Sequence, residues 1–299
     1  LTANGSLRPH DVRVPGHLVD CVVIDPDQKQ TTETQYDPAI SGEIMRPWDS
    51  FALAEMGVEK VIARRAAQEL RRGMTANLGF GISAMVPRIL LEEGHPDAVT
   101  WAIEQGAVGG VPLTGFAFGC ASNADAFMPS PQQFIYFQGA GFDMSFLSFL
   151  EVDTEGNVNV SKLGKKPYLT AGCGGFVDIT ARAKNIVFSG WFEAGAKINL
   201  TADGIDIAAP GKFTKMVDEV EHVTFSGRRA REQGQNVIYV TERCVIRLTG
   251  NGLLATEIMP GVDPQAHIVG PSQGRVQVAE NAKVMPKSLL ADAPMGLAL

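Results

Sequence analysis

A single carboxylate stands between an apolar run and a glycine-rich segment. Glu104 follows the apolar residues of "AVTWAI", and residues that leave the backbone bare or nearly so come directly after it: Gly106, Ala107, Gly109 and Gly110. In open α/β sheets, an acid placed just after a buried strand projects into the crevice where such folds bind ligands. The spacing therefore makes Glu104 a candidate catalytic or binding carboxylate. A solvated acid at a strand end is the alternative.

Two further glycine groups adjoin apolar runs. "LGFGIS" places Gly79 and Gly81 between a predicted strand and a predicted helix, whose free amides could contact a phosphate or a carboxylate. It lacks the third glycine of a dinucleotide fingerprint. "TAGCGGFVDIT" holds Gly172, Gly174 and Gly175, whose amides could converge as an oxyanion hole or a carboxylate nest. A plain tight turn explains either group equally well.

Cysteine and histidine offer weaker signals. Cys173 lies inside the second glycine group but has no histidine near it in the sequence, so thiol catalysis is disfavoured. Cys21, Cys120 and Cys244 are equally scattered, without CxxC spacing, which predicts reduced thiols and a cytoplasmic protein. The histidines are isolated from one another, so no metal site is predicted.

Composition limits the classes of partner. The chain has 299 residues, 45% hydrophobic and 20% charged, enough for a sizeable core in one large domain or two smaller ones. Its net charge of −7 and pI of about 5.3 argue against binding to nucleic acid or to an anionic membrane. No apolar stretch approaches the ~20 residues of a spanning helix. The sequence therefore predicts a soluble globular protein without nucleic-acid or membrane partners.

The apolar spacing predicts alternating helices and strands. A helix is predicted from Gly57 to Arg72, followed by a strand in "MTANLGFGIS" that enters a glycine turn. "SAMVPRILLEEG" predicts a second helix that ends at Gly94, and "AVTWAIEQG" predicts the next strand. This order is typical of an α/β domain with an open, mostly parallel sheet flanked by helices.

Turn signals predict hairpins and the outer limits of the domain. "LSFLEVDTEGNVNVSK" and "KINLTADGIDIAA" each contain a turn between strand-like runs, and "NVIYVTERCVIRLTGNGLLATEIMPGVD" contains further strands. "HLVDCVVIDP" is predicted as a buried strand. We expect a linker or arm over residues 1–54 and a poorly anchored end at "ADAPMGLAL".

The ordered motifs resemble a known family. "EQGAVGG", with "NLGFG" before it and "EGNVNVSK", "GCGGFVDI", "EHVTFSG" and "VIYVTERCVIRL…TEIMPGVD" after it, resembles the catalytic, beta-like half of a family I CoA-transferase. The likeness is strongest to the branch of propionate and acetate CoA-transferases with broad short-chain specificity. It runs from about Asp11 to Pro286 and implies a catalytic domain over residues 55–286, followed by a tail over 287–299. It also implies the family's NagB/RpiA-like fold with added β-hairpins. The ordered set is specific, although each motif alone would be weak.

The resemblance assigns roles to individual residues. Glu104 matches the nucleophile of the family's E-x-G motif, and Gln105 stands where related enzymes often have Asn, an exchange that fits this branch. Three glycines are implied in the acyl pocket, where amides would stabilise oxyanions: Gly106, Gly174 and Gly175. Four more are implied in CoA binding: Gly79, Gly81, Gly109 and Gly110.

The resemblance also implies a reaction and partners. The expected reaction is a ping-pong transfer of CoA from a short-chain acyl-CoA to a free carboxylic acid, through an acyl-glutamyl anhydride and a glutamyl-CoA thioester. CoA is then a substrate, and no permanently bound cofactor is expected. Because the family's site lies between two halves and this chain starts where the linker would be, we expect an N-terminal, alpha-like half or a partner chain, and a homo-oligomer. An acyl-CoA hydrolase and an inactive ligand-binding or assembly subunit are the alternatives.

Overall fold

The structure is a computed structural model that describes residues 2–164 and 169–299. The chain divides into two compact units, Leu1–Asp37 and Pro38–Leu299. None of the described helices combines the length and the apolar composition needed to cross a membrane. The predicted role of residues 1–54 as an arm after another half of the protein stays a prediction.

The first unit contains two short 3₁₀ helices, Pro9–Asp11 and Gly16–Leu18. The buried strand predicted in "HLVDCVVIDP" is wrong: residues 17–26 form no strand, and Val23 is 83% exposed. β-Branched residues favour an extended backbone, but a strand also needs a paired neighbour. Among the described residues of this unit no neighbouring strand is present.

The second unit alternates helices and strands. The α-helices, numbered α1 to α5 in chain order, are Val58–Ala67, Val86–Glu92, Ser130–Gln138, Phe176–Arg182 and Gly227–Glu232. The strands, numbered β1 to β21 in chain order, are Thr75–Leu78, Thr100–Ala102, Ala107–Val108, Val111–Pro112, Ala121–Ser122, Ala126–Phe127, Met144–Ser148, Glu151–Asp153, Val158–Asn159, Lys162–Leu163, Leu169–Thr170, Asn185–Ser189, Glu193–Ala194, Lys197–Thr201, Gly204–Ala209, Phe213–Thr214, Met216–Val217, Asn236–Val240, Cys244–Thr249, Gly252–Ile258 and Val276–Val284. Short 3₁₀ helices cover Trp48–Ser50, Gly81–Met85, Gly115–Ala117 and Lys287–Leu290, and a π-helical turn covers Gln265–Val269.

A ten-stranded sheet organises this unit, in the order β21-β20-β19-β18-β12-β7-β1-β2-β3-β6. The five consecutive strands β18, β12, β7, β1 and β2 are parallel, and antiparallel pairs lie toward both edges. The central strands β7 and β12 are buried on both faces, which explains their near-continuous apolar sequences "MSFLS" and "NIVFS". The predicted α/β fold with a mostly parallel sheet is confirmed.

Helices cover both faces of the sheet because successive strand residues point to opposite sides. Val187 of β12 joins the apolar cluster that includes α1 and α2 residues. Its neighbours Ile186 and Phe188 join the cluster that includes α3, α4 and α5 residues. The sheet is therefore the middle layer between two helical layers.

Both predicted hairpins are present. β8 pairs antiparallel with β9, and the Asp153 carboxylate accepts the amides of Glu155 at 3.0 Å and Asn157 at 2.9 Å, which fixes the turn. β14 pairs antiparallel with β15, with Thr201 opposite Gly204. These additions follow directly from the local turn residues.

The C-terminal segment is firmly anchored, so the prediction of a poorly anchored end is wrong. Arg64 of α1 is fully buried and donates to the carbonyls of Ala291 at 2.5 Å and Ala293 at 2.9 Å. The carboxylate of Glu93, directly after α2, accepts the amides of residues 295–297 at 2.6–3.0 Å. Charged groups from two helices thus satisfy backbone groups of the tail, a pairing invisible in the tail's own composition.

We expect Leu289→Ala to lower the free energy of unfolding by about 2–5 kcal/mol, because Leu289 is fully buried against the first apolar cluster. Leu53→Ala is the matched control, since Leu53 is 52% exposed and its loss should cost less than about 0.5 kcal/mol. Urea denaturation followed by circular dichroism measures both. Equal, small losses would contradict an anchored tail.

Candidate active site

The carboxyl ends of three neighbouring strands meet at one edge of the sheet. β1 pairs in parallel with β2, where Asn77 lies opposite Ala102, and with β7, where Leu78 lies opposite Phe146. The chain leaves these strands through the segments that begin at residues 79, 103 and 149. Glu104 therefore lies at the carboxyl edge of the parallel strands, where its position after "AVTWAI" predicts it.

The backbone of the second glycine group approaches the Glu104 carboxylate. The amide of Gly175 donates to Oε2 of Glu104 at 3.1 Å. A Cβ atom at Gly175 would lie 2.5 Å from that oxygen and 2.7 Å from Phe134 Cε1, and one at Gly174 would lie 3.3 Å from Oε1. The hydroxyl of Ser130, at the start of α3, donates to the Glu104 carbonyl at 3.2 Å. Glycine is thus required at 175 for the carboxylate to occupy this place.

Glu104 borders a mostly apolar cavity of about 370 Å³. Its lining comes from the segments after β1, β2 and β7, from Phe118 and Val160, and from the start of α4. Glu104 and Cys173 are the ionisable side chains on this lining, and no lysine or arginine of the described residues lines it. The one hydroxyl on the described lining, that of Ser148, donates to the carbonyl of Phe80 at 2.7 Å. The carboxylate therefore faces a cavity in which few other polar side chains could bind a substrate.

The apolar lining residues were not predicted from the sequence. They come from separate segments that the sheet brings together: Leu78, Phe80, Phe118, Leu147, Phe149, Leu150, Val160, Phe176 and Ile179. The local signal that could have found some of them is their place directly after a strand end. Lys215 supports one of these segments, because its Nζ donates to the Phe149 carbonyl at 3.2 Å and lies 5.1 Å from the centre of the Phe149 ring. Burial lowers the pKa of Lys215.

The structure brings four of the predicted glycines to this region. Gly79, Gly172 and Gly174 line the cavity, and Gly175 contacts the carboxylate. Gly81 lies one residue beyond Phe80 and lines a neighbouring cavity instead. Its φ is +87°, and a Cβ atom there would lie 3.0 Å from Ser148 Oγ, so both backbone conformation and space favour glycine.

The glycines that follow Glu104 have a packing role. A Cβ atom at Gly106 would lie 1.9 Å from the carbonyl oxygen of Met128, and one at Gly110 would lie 2.2 Å from that of Ser122. Gly109 is similarly blocked by the carboxylate of Asp125. All three have φ between +68° and +119°, and none is on the cavity lining. The predicted roles of Gly106 in the acyl pocket and of Gly109 and Gly110 in CoA binding stay predictions.

The arrangement suits attack on an acyl group. A carboxylate in a largely apolar space can add to an electrophilic carbonyl and form a covalent intermediate. Backbone amides beside it can stabilise the negative charge that develops on the carbonyl oxygen, and loss of one such donor typically lowers the rate by about 10²–10³-fold. Glu104 and the Gly175 amide that donates to it are the corresponding groups here, and the catalytic roles predicted for Glu104, Gly174 and Gly175 stay predictions.

Known proteins with similar sequences are CoA-transferases. The chain is 38% identical over 301 residues to the acetate CoA-transferase YdiF of Escherichia coli O157:H7, covering 100% of this chain and 56% of that protein. It is 37% identical over 298 residues to the caffeate CoA-transferase of Acetobacterium woodii, covering 98% of this chain and 57% of that protein. The chain thus spans about half the length of these curated relatives.

A shorter relative is covered more completely. The chain is 30% identical over 202 residues to a probable coenzyme A transferase subunit beta of Bacillus subtilis, covering 66% of this chain and 77% of that protein. No protein-family model matches the chain.

Solved structures agree with the sequence comparison. The apoenzyme of the E. coli O157:H7 acyl-CoA transferase YdiF matches all of this chain with a TM-score of 0.89 and 36% identity, over 56% of that protein. Its thioester complex with CoA matches with a TM-score of 0.87 over 55% of that protein.

We expect Gly175→Ala to displace the Glu104 carboxylate from the Gly175 amide, because the new methyl group would lie 2.5 Å from Oε2. Gly175 has φ −78° and ψ 4°, which alanine adopts without strain, so the variant tests this contact. Gly250→Ala is the control, since nothing lies within 4 Å of its added atom. A crystal structure of each variant measures the Glu104–Gly175 distance. An unchanged hydrogen bond in Gly175→Ala would contradict the interpretation.

Proposed function

The chain belongs to the family I CoA-transferases, and from this premise we propose that it carries the nucleophile of an acyl-CoA:carboxylate CoA-transferase. One observation carries the proposal: the Glu104 carboxylate lies at the carboxyl edge of the parallel strands, against the Gly175 amide, and faces an apolar cavity. The thioester complex with CoA of the related YdiF protein supports it.

In the first half-reaction, a Glu104 carboxylate oxygen attacks the thioester carbonyl of the acyl-CoA. The resulting tetrahedral oxyanion expels the CoA thiolate, which leaves an acyl-glutamyl anhydride. The thiolate then attacks the glutamyl carbonyl, so that the first carboxylic acid leaves as a carboxylate and Glu104 holds CoA as a thioester. No net proton transfer is required, and the anhydride conserves the activation of the acyl group until the CoA thiolate forms a thioester again.

The second half-reaction runs the same steps in reverse with another acid. The incoming carboxylate attacks the glutamyl-CoA thioester, which again gives an anhydride and a CoA thiolate. Attack of the thiolate on the acyl carbonyl forms the new acyl-CoA and frees the Glu104 carboxylate. Every addition step creates an oxyanion, for which the amides of Gly174 and Gly175 are the candidate donors.

The cavity favours acyl groups without a second charge. Its described lining offers an acyl chain apolar contacts and no cation that could pair with a distal carboxylate. Burial of an unpaired carboxylate is strongly unfavourable. The proposed substrates are therefore acyl-CoAs of small apolar monocarboxylic acids together with free acids of the same kind, and CoA acts as a substrate rather than a resident cofactor.

The proposal includes a second half of the protein that contributes to the site. The chain spans 56% of its E. coli relative, and a B. subtilis relative is named as a beta subunit, which supports a site shared with an alpha-like half or chain. Homo-oligomerisation and a cytoplasmic location remain proposals of the same kind. All four cysteines are free thiols, in agreement with such a location.

We expect Glu104→Gln to abolish formation of a covalent CoA adduct, because an amide cannot form the anhydride. Turnover should fall on the order of 10⁴-fold or more. The chain, alone and with the proposed second half, is incubated with acetyl-CoA and treated with borohydride or hydroxylamine. Mass spectrometry of its peptides then locates the modification.

Cys173→Ser is the matched control, because Cys173 is the other ionisable group on the described cavity lining. It should retain the adduct at Glu104. Labelling at Cys173, or turnover by Glu104→Gln at the wild-type rate, would overturn the proposal. Release of CoA without acetate-dependent transfer would identify a hydrolase, and absence of both adduct and turnover would identify an inactive subunit.

The same adduct reports acyl preference. We expect butyryl-CoA to label Glu104 about 10–100-fold faster than succinyl-CoA, because a distal carboxylate finds no cation on the described lining. Quenched-flow mass spectrometry at equal concentrations measures the two rates. Equal rates would show that the acyl group does not occupy this cavity.

A further inference from the structure

A second cavity adjoins the one beside Glu104. It has a volume of about 340 Å³, and Phe80 lines both cavities. Its lining comes from residues 52–54, from the segment between β1 and α2, and from Thr114 and Gly115. Gly81, which the resemblance places in CoA binding, also lines it. The proposed reaction does not by itself use this cavity.

Arg88 of α2 lines this second cavity without a counter-ion. Its guanidinium carbon lies 5.5 Å from the centre of the Phe51 ring, and its Nη1 is buried without a hydrogen-bond partner. Within residues 2–164 and 169–299 the Arg88 side chain forms no ion pair. Burial lowers the pKa of Arg88. A buried guanidinium nitrogen without a partner calls for an explanation, because buried polar groups in folded proteins are normally hydrogen-bonded.

Arg88 is half-buried, and the fully buried guanidinium groups of this unit are paired with carboxylates. Arg64 binds Glu92 at 3.1 Å, and Arg243 binds Glu193 at 2.6 Å. Arg65 likewise forms ion pairs with Glu69 and Glu257. The fold therefore supplies carboxylates where an arginine serves structure alone, and Arg88 departs from that pattern.

The acid on the same cavity does not neutralise Arg88. Glu59 lines the cavity but accepts a hydrogen bond from Trp191 Nε1 at 3.2 Å and forms no ion pair with Arg88. The guanidinium thus keeps donors available to an incoming anion. Its planar fork matches the oxygens of a phosphate group.

We propose that Arg88 binds a phosphate group of the CoA substrate in this second cavity. The inference rests on the proposed function, since acyl-CoA carries its thioester and its phosphates at opposite ends of one flexible arm. An acyl group beside Glu104 and an anion beside Arg88 place these two ends in adjoining cavities, with Phe80 between them. Arg88 is thereby a substrate-binding residue and takes no part in the covalent steps.

Titration calorimetry of the chain with CoA and with pantetheine, which lacks phosphates, tests this assignment. Wild-type chain should bind CoA more tightly than pantetheine. In Arg88→Met, which removes the guanidinium and keeps an unbranched side chain, CoA affinity should fall about 10–100-fold while pantetheine affinity is unchanged. Arg88→Lys keeps the positive charge but loses the planar guanidinium, so its CoA affinity should lie between those of the wild type and Arg88→Met.

Arg228→Gln is the matched control, because it removes a guanidinium whose side chain is 79% exposed. It should change CoA affinity less than twofold in moderate salt. Equal losses for CoA and pantetheine, an unchanged CoA affinity in Arg88→Met, or no preference of the wild type for CoA would each overturn the assignment. Covalent labelling of Glu104 is measured separately. If the label persists while the Arg88 assignment fails, the proposed function still stands. If the label is absent, the proposed function is overturned, whatever Arg88 binds.

Discussion

The parallel pairing of β1 with both β2 and β7 is the constraint on which the site depends. This pairing places the carboxyl ends of the three strands side by side, and two further hydrogen bonds hold them there. The Asn77 side chain donates to the Ala102 carbonyl at 3.0 Å, and the Gly79 amide donates to the Phe146 carbonyl at 2.7 Å. Because the chain leaves all three strands from fixed points, short loops suffice to bring Glu104, Phe80 and Phe149 around one cavity.

The glycine-rich segments of the sequence serve two different purposes in this framework. Gly106, Gly109 and Gly110 let the chain after Glu104 pack against residues 122–128, so they set the path of the backbone. Gly175 instead leaves room for the Glu104 carboxylate, which a Cβ atom at this position would overlap. The two purposes look identical in a sequence, because both appear simply as absent side chains. They differ only in what occupies the vacated space.

The distance along the chain over which an interaction acts explains how far the sequence could predict the structure. The helix at α1, the strands β1 and β2 and the two hairpins follow from periodicity and turn residues that act within a few positions. The anchored tail depends on Arg64, more than two hundred residues away, and the failed strand near Val23 lacked a neighbour to pair with. The position of Glu104 at the carboxyl edge of the sheet could be predicted because a single strand, β2, places it there. The apolar lining could not, since the sheet assembles it from separate segments.

The lining also bears on which reaction a glutamate nucleophile supports. An anhydride and a thioester are both open to hydrolysis, so transfer between acids requires that water be kept from the glutamyl carbonyl. A water molecule is held in place by several polar partners, and the Ser148 hydroxyl, which could serve as one, is already bonded to the Phe80 carbonyl. The nucleophile is the same for a transferase and a hydrolase. Under the proposed function, the apolar residues around Glu104 contribute to the choice between them, and each of these can be varied without a change to the carboxylate itself.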